Sequence, residues 1–365
     1  MHINKIAPFF TGLFIGLILF SCKKEVSEIT PVTKPSVNGV NIDLTAVPYN
    51  TLSEYQFFDG VLADHMPAEG VIPYEPVSKL FTDYAKKKRF IWMPEGTKSS
   101  YVSDDKLLDM PTGTALIKTF YYDDVQPSGN TQLIETRVMI KKSSGWIFAE
   151  YVWNQEQNEA YLDMTGSTLP ISWLQDGQVM SADYRIPSDT ECMVCHKSNN
   201  QPIPIGVKPQ HLNVDYDYGN GPENQLQYLI SQGYLENSLP VSIDGLVDYN
   251  DMTAPLEKRV RSYLDINCAH CHQAGSHCDY RPLRLAYSET SLDDNMGVCV
   301  EPDEFINSAL TYLISPGNTE RSVLFYRLKA TDQNVRMPLL GRSIVHTEGV
   351  DLLEEYINSL TEICQ

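Results

Sequence analysis

The stretch Asn267-Cys268-Ala269-His270-Cys271-His272-Gln273 carries the most specific pattern in the chain. Its Cys-x-x-Cys-His order is the attachment sequence of a c-type haem. Two thiols three residues apart lie on one turn, so each can bond a vinyl group of the same porphyrin while the adjacent His reaches the iron. The sequence therefore predicts one covalent haem, with Cys268 and Cys271 as thioethers and His272 as the proximal ligand.

The same pattern occurs upstream, in Cys192-Met193-Val194-Cys195-His196. The chain has only 8 Cys and 8 His in 365 residues, so two accidental matches are very improbable. We expect a second haem c, attached to Cys192 and Cys195 and ligated by His196. The alternatives are a four-cysteine zinc site and redox dithiols. Zinc does not require a His directly after each pair, which favours haem and its iron.

The sequence predicts a distal ligand for the downstream iron but leaves the distal ligand of the upstream iron open. Met337, in Arg336-Met337-Pro338, lies 65 residues after His272 and provides a soft thioether suited to a His/Met pair. We therefore expect Met337 on the downstream iron. The upstream distal ligand stays open, and an empty sixth position is one alternative. The candidate side chains are His211 and Met180, followed by Met110, His65 and Met93.

The N-terminus has the features of an export signal. Residues 1–21 contain Lys5 and then an apolar segment too short for a comfortable membrane span. This segment ends in Leu19-Phe20-Ser21-Cys22, which resembles a bacterial lipobox and predicts lipidation of Cys22; the alternative is an ordinary cleaved signal with an incidental Cys. Residues 22–49 are polar and predict a tether. We expect a lipid-anchored protein of the Gram-negative cell envelope, in the outer membrane, facing the periplasm or the cell surface.

The charge and the remaining cysteines limit the partners and cross-links. The formal net charge of −19 argues against nucleic-acid binding and favours a redox partner protein that docks through a basic or neutral patch. The basic run Lys86–Arg89 is expected to be a solvated helix end, with a docking patch as the alternative. Of Cys278, Cys299 and Cys364, two should form a disulfide outside the cytoplasm. We favour Cys278 with Cys299.

Residues 50–187 show mainly strand patterns. Residues 133–141 alternate apolar and polar side chains, Lys142–Gly145 is a turn, and residues 146–153 return as a second strand. Further short strands with regular turns predict a β-rich domain, either a sandwich or a partly open barrel.

The rest of the chain has helical patterns. Residues 188–250 form a first haem-attachment module, with a helix over 222–235, that is too short to fold without neighbouring segments. Residues 251–365 are expected to be helical. The predicted helices there cover 255–264, 304–314 and 322–328, with a terminal helix whose apolar stripe includes Val350 and Leu360. A helix that runs into Cys-x-x-Cys-His, a Met loop and a terminal helix is the plan of a small cytochrome c. The fold class is therefore predicted as α+β, with a β-rich domain followed by a helical cytochrome c-like domain.

Several short stretches of the chain carry a family resemblance. They are Leu80–Phe90, Pro111–Thr114, Ile134–Arg137, Gly145-Trp146, Ile186–Ser188, Cys192–His196, Pro204–Gly206, Asn224–Leu226, Asn267–His272, Ser315–Gly317, Arg336–Pro338 and the final helix. In these stretches the chain resembles a family of predicted dihaem c-type cytochromes, often lipoproteins, of Gram-negative bacteria. The resemblance covers most of residues 50–362, and the C-terminal part resembles a small cytochrome c domain. It implies two covalent haems and electron transfer, and no substrate.

Three functions are consistent with these features. The first is electron transfer between a redox partner and the two haems, which requires no catalytic side chain. The alternative is a haem enzyme of peroxidase type, or the electron-accepting subunit of a periplasmic dehydrogenase, which requires an open or displaceable ligand beside an acid–base group. A third is a binding module in which haem is structural. The coordination number of each iron in both oxidation states separates the first from the peroxidase alternative.

Overall fold

The predicted hairpin forms the centre of the folded chain. The structure, a computed structural model, describes residues 39–364. Lys142 pairs with Gly145 across the Ser143-Ser144 turn. Gly145 has φ +118°, a conformation that glycine adopts without steric cost. The predicted signal peptide, the lipidation site Cys22 and most of the tether lie outside the described residues.

The first part of the chain contains ten strands, six of which have seven or more residues. The first four are β1 (Phe58–Asp59), β2 (Met66–Pro67), β3 (Ile72–Pro73) and β4 (Lys86–Trp92). The next six are β5 (Ala115–Val125), β6 (Asn130–Lys142), β7 (Gly145–Trp153), β8 (Ala160–Leu162), β9 (Ser167–Gln175) and β10 (Gln178–Ile186). They alternate with short turns, so neighbouring strands are antiparallel.

Eight of these strands form one sheet. Its order is β10-β9-β5-β6-β7-β8, with β4 also paired to β5 and β3 paired to β4. Strand β5 therefore has three partners: β4 and β6 along its length, and β9 through Val125 and Trp173 at its end. The sheet does not close into a barrel.

The second part of the chain contains short helices, two short strand pairs, one π-helical turn and one 3-10 turn. Its first elements are α1 (Asp189–Cys195), β11 (Lys197–Ser198), β12 (Gln201–Pro202), α2 (Pro209–Leu212), β13 (Asp215–Asp217), β14 (Pro222–Asn224) and α3 (Gln225–Ser231). The later elements are α4 (Leu256–Leu264), a π-helical turn (Asp265–Ala269), α5 (Asp293–Met296), α6 (Val323–Lys329) and α7 (Thr347–Ser359). Three 3-10 turns cover Ser53–Tyr55, Leu62–Asp64 and Thr319–Arg321. The architecture is thus mixed α and β, with more strand than helix.

Two helix predictions are wrong in extent or in kind. The helix expected over 222–235 is confined to α3, because residues 222–224 pair with β13 as a strand. Residues 304–314 are not helical. Their backbone donors bind other segments instead: the amide of Thr311 donates to Arg321 O and the amide of Leu313 donates to Val300 O. These long-range hydrogen bonds replace the local bonds of a helix.

The basic run Lys86–Arg89 is also different from the expected helix end. It begins strand β4 and pairs with Lys118–Tyr121 of β5. Arg89 is only 6% exposed, whereas Lys86 is solvent-facing and pairs with Asp123 at 2.7 Å. Exposure decreases along the run, from the exposed Lys86 through the half-buried Lys87 and Lys88 to the buried Arg89, as the strand enters the sheet.

The disulfide joins Cys299 to Cys364, and the expected Cys278–Cys299 pair is therefore wrong. The Cα atoms of Cys299 and Cys364 are 5.1 Å apart, within the range that a disulfide spans. The chain after α7 returns alongside Cys299, although 65 positions separate the two residues. Cys278 is a buried free thiol. The prediction of Cys278–Cys299 rested on their closeness in sequence. Closeness in sequence does not reveal that the segment after α7 lies alongside Cys299.

The described residues belong to one compact unit. Helices α4, α6 and α7 pack around a core that includes Val260, Leu324 and Leu353. Three further apolar clusters lie on the two faces of the sheet and under α2 and α3. The predicted domain boundaries after residues 187 and 250 stay predictions, and hydrogen bonds cross both of them. Within residues 39–364, no helix combines the length and apolar character needed to cross a membrane.

Candidate functional site

The upstream Cys-x-x-Cys-His sequence lies at the end of helix α1. Ser188 begins this helix with a capping box, in which its hydroxyl accepts from the Glu191 amide and the Glu191 carboxylate accepts from the Ser188 amide. Arg185 also donates to both Glu191 oxygens, at 3.1 and 2.7 Å. Cys192 and Cys195 are therefore held one turn apart on a fixed helix, and both are free thiols.

His196 is oriented by the backbone that follows it. Its Nδ1 lies 2.9 Å from Ile203 O, so Nδ1 is the protonated nitrogen and donates to this carbonyl. Such a bond leaves the Nε2 lone pair free and fixes the ring, as is usual for a metal-binding imidazole. Burial lowers the pKa of His196 to about 4, which keeps the ring neutral. The ring also contacts Phe148 edge-on, with centroids 5.3 Å apart.

The downstream sequence follows α4 without a break. The chain passes from α4 into the π-helical turn, and the amides of Cys271 and His272 both donate to Cys268 O. Cys268 and Cys271 thus occupy one turn. The Nδ1 atom of His272 is buried without a hydrogen-bond partner, and burial lowers the pKa of this imidazole to about 4. A buried neutral ring with an unpaired nitrogen is suited to bind a metal.

A cavity of about 240 Å³ lies beside the downstream sequence. Its lining includes Cys268, Cys271 and His272, and the predicted distal residue Met337 lines the same cavity. Most of the remaining wall is apolar, and two cations, Arg281 and Arg327, also border it. Met337 and His272 therefore border the same cavity, and the assignment of Met337 as distal ligand stays a prediction.

Arg342 holds the loop that presents Met337. This side chain is only 3% exposed. It donates to Met337 O at 3.0 Å and also to the carbonyls of Arg327, Ala330 and Ile344. The Met337 amide donates in turn to Arg327 O at 3.0 Å. One buried guanidinium thus ties the Met loop to the end of α6. The sequence analysis did not single out this residue, since its role depends on carbonyls up to 15 positions away.

A second cavity, of about 130 Å³, lies between the upstream sequence and the sheet. Its floor consists of two rows of side chains that run across strands β5, β6 and β7. One row is apolar and comprises Leu116, Met139 and Phe148; the other is charged and comprises Lys118, Arg137 and Glu150. The upstream Cys-x-x-Cys-His sequence therefore faces strands β5, β6 and β7 across this cavity.

The predicted distal candidates do not line this second cavity. His211 is fully buried and its Nε2 lies 2.7 Å from Asp265 Oδ1, while Met180 packs at the edge of another apolar cluster. Met93 and Met110 lie in the core under α2 and α3, and His65 binds Thr119 on the other face of the sheet. Outside the two Cys-x-x-Cys-His sequences, the side chains on this cavity with an amine nitrogen or a sulfur that can bind iron are Lys118, Met139 and Met164; His270, inside the downstream sequence, also lines it. Period-two alternation along β5 and β6 is the signal that could have found the first two.

The two cavities share a wall. Cys195, Asn267 and His270 line both, together with Pro338 and Leu340. The ligand atoms of Cys195, His270 and Cys271 all lie within 4.8 Å of one another. The four motif cysteines therefore do not converge on one point, since Cys192 and Cys268 are outside this group. This arrangement does not match the four-cysteine zinc alternative.

Comparisons with known proteins add no relative to this picture. No protein-family model, curated protein or solved structure matches the chain.

Proposed function

We propose that this protein is an exported, lipid-anchored dihaem c-type cytochrome that transfers electrons between a redox partner protein and its two covalent haems. The observation that carries the proposal is the arrangement of two cavities with a common wall, each lined by both cysteines and the final histidine of one Cys-x-x-Cys-His sequence. A bound haem c supplies an iron that gains or loses one electron. The export and the lipid anchor rest on residues 1–22 alone.

The residues of the downstream cavity fit a haem. Cys268 and Cys271 provide the two thiols, and the unpaired buried ring of His272 provides the proximal ligand. Met337 provides a thioether on the same cavity. Arg281 and Arg327 line the same cavity, where both form ion pairs with Glu304. With this set, residues 251–364 serve as the cytochrome c-like part of the chain.

The residues of the upstream cavity fit a second haem. Cys192 and Cys195 are held by the capped helix α1, and His196 has its Nε2 free because Nδ1 donates to Ile203 O. The row of Leu116, Met139 and Phe148 provides an apolar surface. The Nζ of Lys118 makes no hydrogen bond or ion pair within the described residues and lies 4.7 Å from the centroid of the Phe120 ring.

Proximity of the two attachment sequences supports electron transfer between the haems. Cys195 and Cys271, one from each sequence, have sulfur atoms within 4.8 Å of each other. Thioether bonds at these two atoms would attach both haems beside the common wall. Haems held there would exchange electrons over a short distance, and this exchange would need no acid–base side chain.

The alternative function, a haem enzyme of peroxidase type, is favoured by one observation. The upstream cavity contains Glu150 and Arg137, an acid–base group and a cation, beside His196. The test of both functions is the haem count and the ligand state. The chain is exported in a host with haem-maturation machinery, and covalent haem is measured in the denatured, reduced protein.

We expect two haems per chain, both low-spin, with a Met–iron charge-transfer band that Met337→Ala abolishes. His211→Ala and Met180→Ala serve as controls and should leave the upstream spectrum unchanged. One haem per chain would contradict the dihaem proposal. Two haems with one high-spin upstream iron would favour the peroxidase alternative.

A further inference from the structure

Strands β6 and β7 bury a cluster of two carboxylates and one guanidinium. Glu135 is fully buried and Glu150 is 2% exposed. Arg137 lies between them, with an N–O distance of 2.5 Å to Glu135 Oε1 and 3.1 Å to Glu150 Oε2. The hydroxyl of Tyr184 also donates to Glu135 Oε1 at 2.5 Å. Both carboxyl groups are buried, so solvent screens their charges weakly, whereas the Arg137 side chain is partly exposed.

The hydrogen bonds of this cluster are incomplete. Glu135 Oε2 and both carboxyl oxygens of Glu150 are buried without a hydrogen-bond partner. Burial lowers the pKa of the neighbouring Lys118 well below its ordinary value, which disfavours a second cation beside Arg137. Two ionised carboxylates facing Arg137 would then leave one uncompensated negative charge in the interior, which is unfavourable. Two adjacent carboxyl groups that share a buried site avoid this by holding one proton.

The pKa directions agree with one shared proton. Burial and the neighbouring charge of Glu135 raise the pKa of Glu150 well above its ordinary value. Burial is the largest single effect on Glu135 and would raise its pKa as well, but the charge of Arg137 and the hydrogen bonds with Glu150, Arg137 and Tyr184 together outweigh burial and hold the pKa of Glu135 below its ordinary value. Glu150 is therefore the member of the pair that carries the proton.

The cluster borders the upstream cavity. Arg137 and Glu150 line it together with Cys192 and His196. The other charged side chains on this cavity are Lys118 of β5, Arg185 of β10 and Glu191 of α1. Arg185 and Glu191 neutralise each other at 2.7 Å. Two carboxyl groups, Glu150 and Glu191, line this cavity. Of these two, only Glu150 shares a proton with a further carboxyl group, that of Glu135.

We infer that Glu150 takes up one proton from solvent when the upstream iron accepts one electron, and releases it when the iron is oxidised. The inference rests on the proposed function. When the iron is ferric, its additional positive charge and the charge of Arg137 together balance the two ionised carboxylates. With the iron ferrous, the proton on Glu150 restores the balance. One electron, from a one-electron donor protein or an electrode, and one proton enter together, so electron transfer here is coupled to proton transfer.

The test is a spectroelectrochemical titration of the haem-loaded protein over a range of pH. A one-electron couple that takes up one proton changes its potential by about 59 mV for each tenfold change in proton concentration. We expect this slope for the upstream haem in the wild-type protein within the range between the two pKa values of the pair. Glu150→Gln should abolish the slope. A redox-difference infrared spectrum should show a protonated carboxyl band in the reduced protein that Glu150→Gln removes.

Two further variants make the result decisive. Glu191→Gln changes a carboxylate on the same cavity, keeps the capping box and should retain the slope, because its pKa lies below the ordinary value through its bonds to Arg185 and Ser188, which outweigh burial. Glu135→Gln removes the second carboxyl and should also abolish the slope. A flat upstream potential in wild-type protein overturns the inference, as does a slope that persists in Glu150→Gln. Protein without two covalent haems instead contradicts the proposed function.

Discussion

At the scale of single residues, buried polar side chains in this protein form a series of hydrogen bonds in which each donor and acceptor can be identified. Trp153 Nε1 can only donate, and it donates to Thr136 Oγ1 at 3.0 Å. Thr136 lies 2.7 Å from Thr119, whose hydroxyl lies 2.9 Å from His65 Nε2. His65 Nδ1 lies 2.9 Å from Ala63 O and must donate to it. His65 is therefore neutral, with Nε2 as an acceptor.

This arrangement predicts that acid destabilises the protein through His65. Burial, with a smaller effect from Lys88, lowers the pKa of His65 to about 4, whereas in the unfolded chain it is about 6.5. Between these values the unfolded chain binds a proton that the folded protein excludes, so stability falls as the pH decreases. The full loss is about 3 kcal/mol at about 1.4 kcal/mol per pKa unit.

The measurement is urea unfolding at about pH 7 and about pH 5, in wild-type protein and in His65→Gln. The variant should be less stable at neutral pH and should lose less stability in acid. An equal loss in both proteins would show that His65 does not contribute to the acid sensitivity.

Arg342 gives a second prediction at this scale. Arg342→Lys keeps the charge but loses the planar group that reaches Met337 O and three other carbonyls. We expect a loss of about 2 kcal/mol or more in unfolding free energy and a weakened Met–iron charge-transfer band. Arg321→Lys, at an exposed position on a neighbouring turn, is the matched control and should change neither. An unchanged band in Arg342→Lys would mean that the Met loop is held by other contacts.

At the scale of elements, local sequence decides an element only where its backbone partners are also local. The hairpin of β6 and β7, and helices α4 and α7, form where their periodicity predicts. Residues 304–314 have an apolar pattern that is also compatible with a helix, yet their amides bind Val300 and Arg321. The segment is therefore shaped by its neighbours.

The disulfide that follows α7 gives a prediction at this scale. The Cys299–Cys364 bond closes a loop of 65 positions, which corresponds to about 4 kcal/mol of unfolded-state entropy. Cys364→Ser should lower the unfolding free energy by an amount of this order, whereas Cys278→Ser leaves the bond in place. Peptide mass spectrometry under non-reducing conditions should recover Cys299 linked to Cys364. A Cys278–Cys299 peptide would contradict the structure.

At the scale of the whole molecule, the sheet-bearing part of the chain holds the Met loop. Asp83 is 1% exposed and accepts from the amide and hydroxyl of Ser343 and from the Ile344 amide, at 2.7–3.1 Å. The Phe81 amide donates to Asn267 Oδ1, beside Cys268, at 2.8 Å. Both sides of the downstream cavity are thus attached to the loop before β4.

Asp83→Asn tests this long-range support. The amide group replaces an acceptor oxygen by a donor that faces other N–H and O–H groups, so we expect a loss of about 2–3 kcal/mol in stability. The charge-transfer band assigned to Met337 should weaken, while the upstream haem spectrum stays unchanged. Asp64→Asn, at an exposed carboxylate elsewhere in the segment before β4, should have no effect on either property. A normal band in Asp83→Asn would show that the Met loop does not depend on this junction.

The sequence by itself determined the features that depend on a few neighbouring residues. These include the hairpin, the main helices and the residues of each Cys-x-x-Cys-His sequence. The sequence also indicated Met337 as a distal ligand, and in the structure Met337 lines the same cavity as His272. Only the tertiary structure decided which cysteine pairs with Cys299, that the two attachment sequences share a wall, and that Glu135, Arg137 and Glu150 form one buried cluster. Each of these depends on contacts between distant parts of the chain, and the distance between such parts is set by packing and not by local pattern.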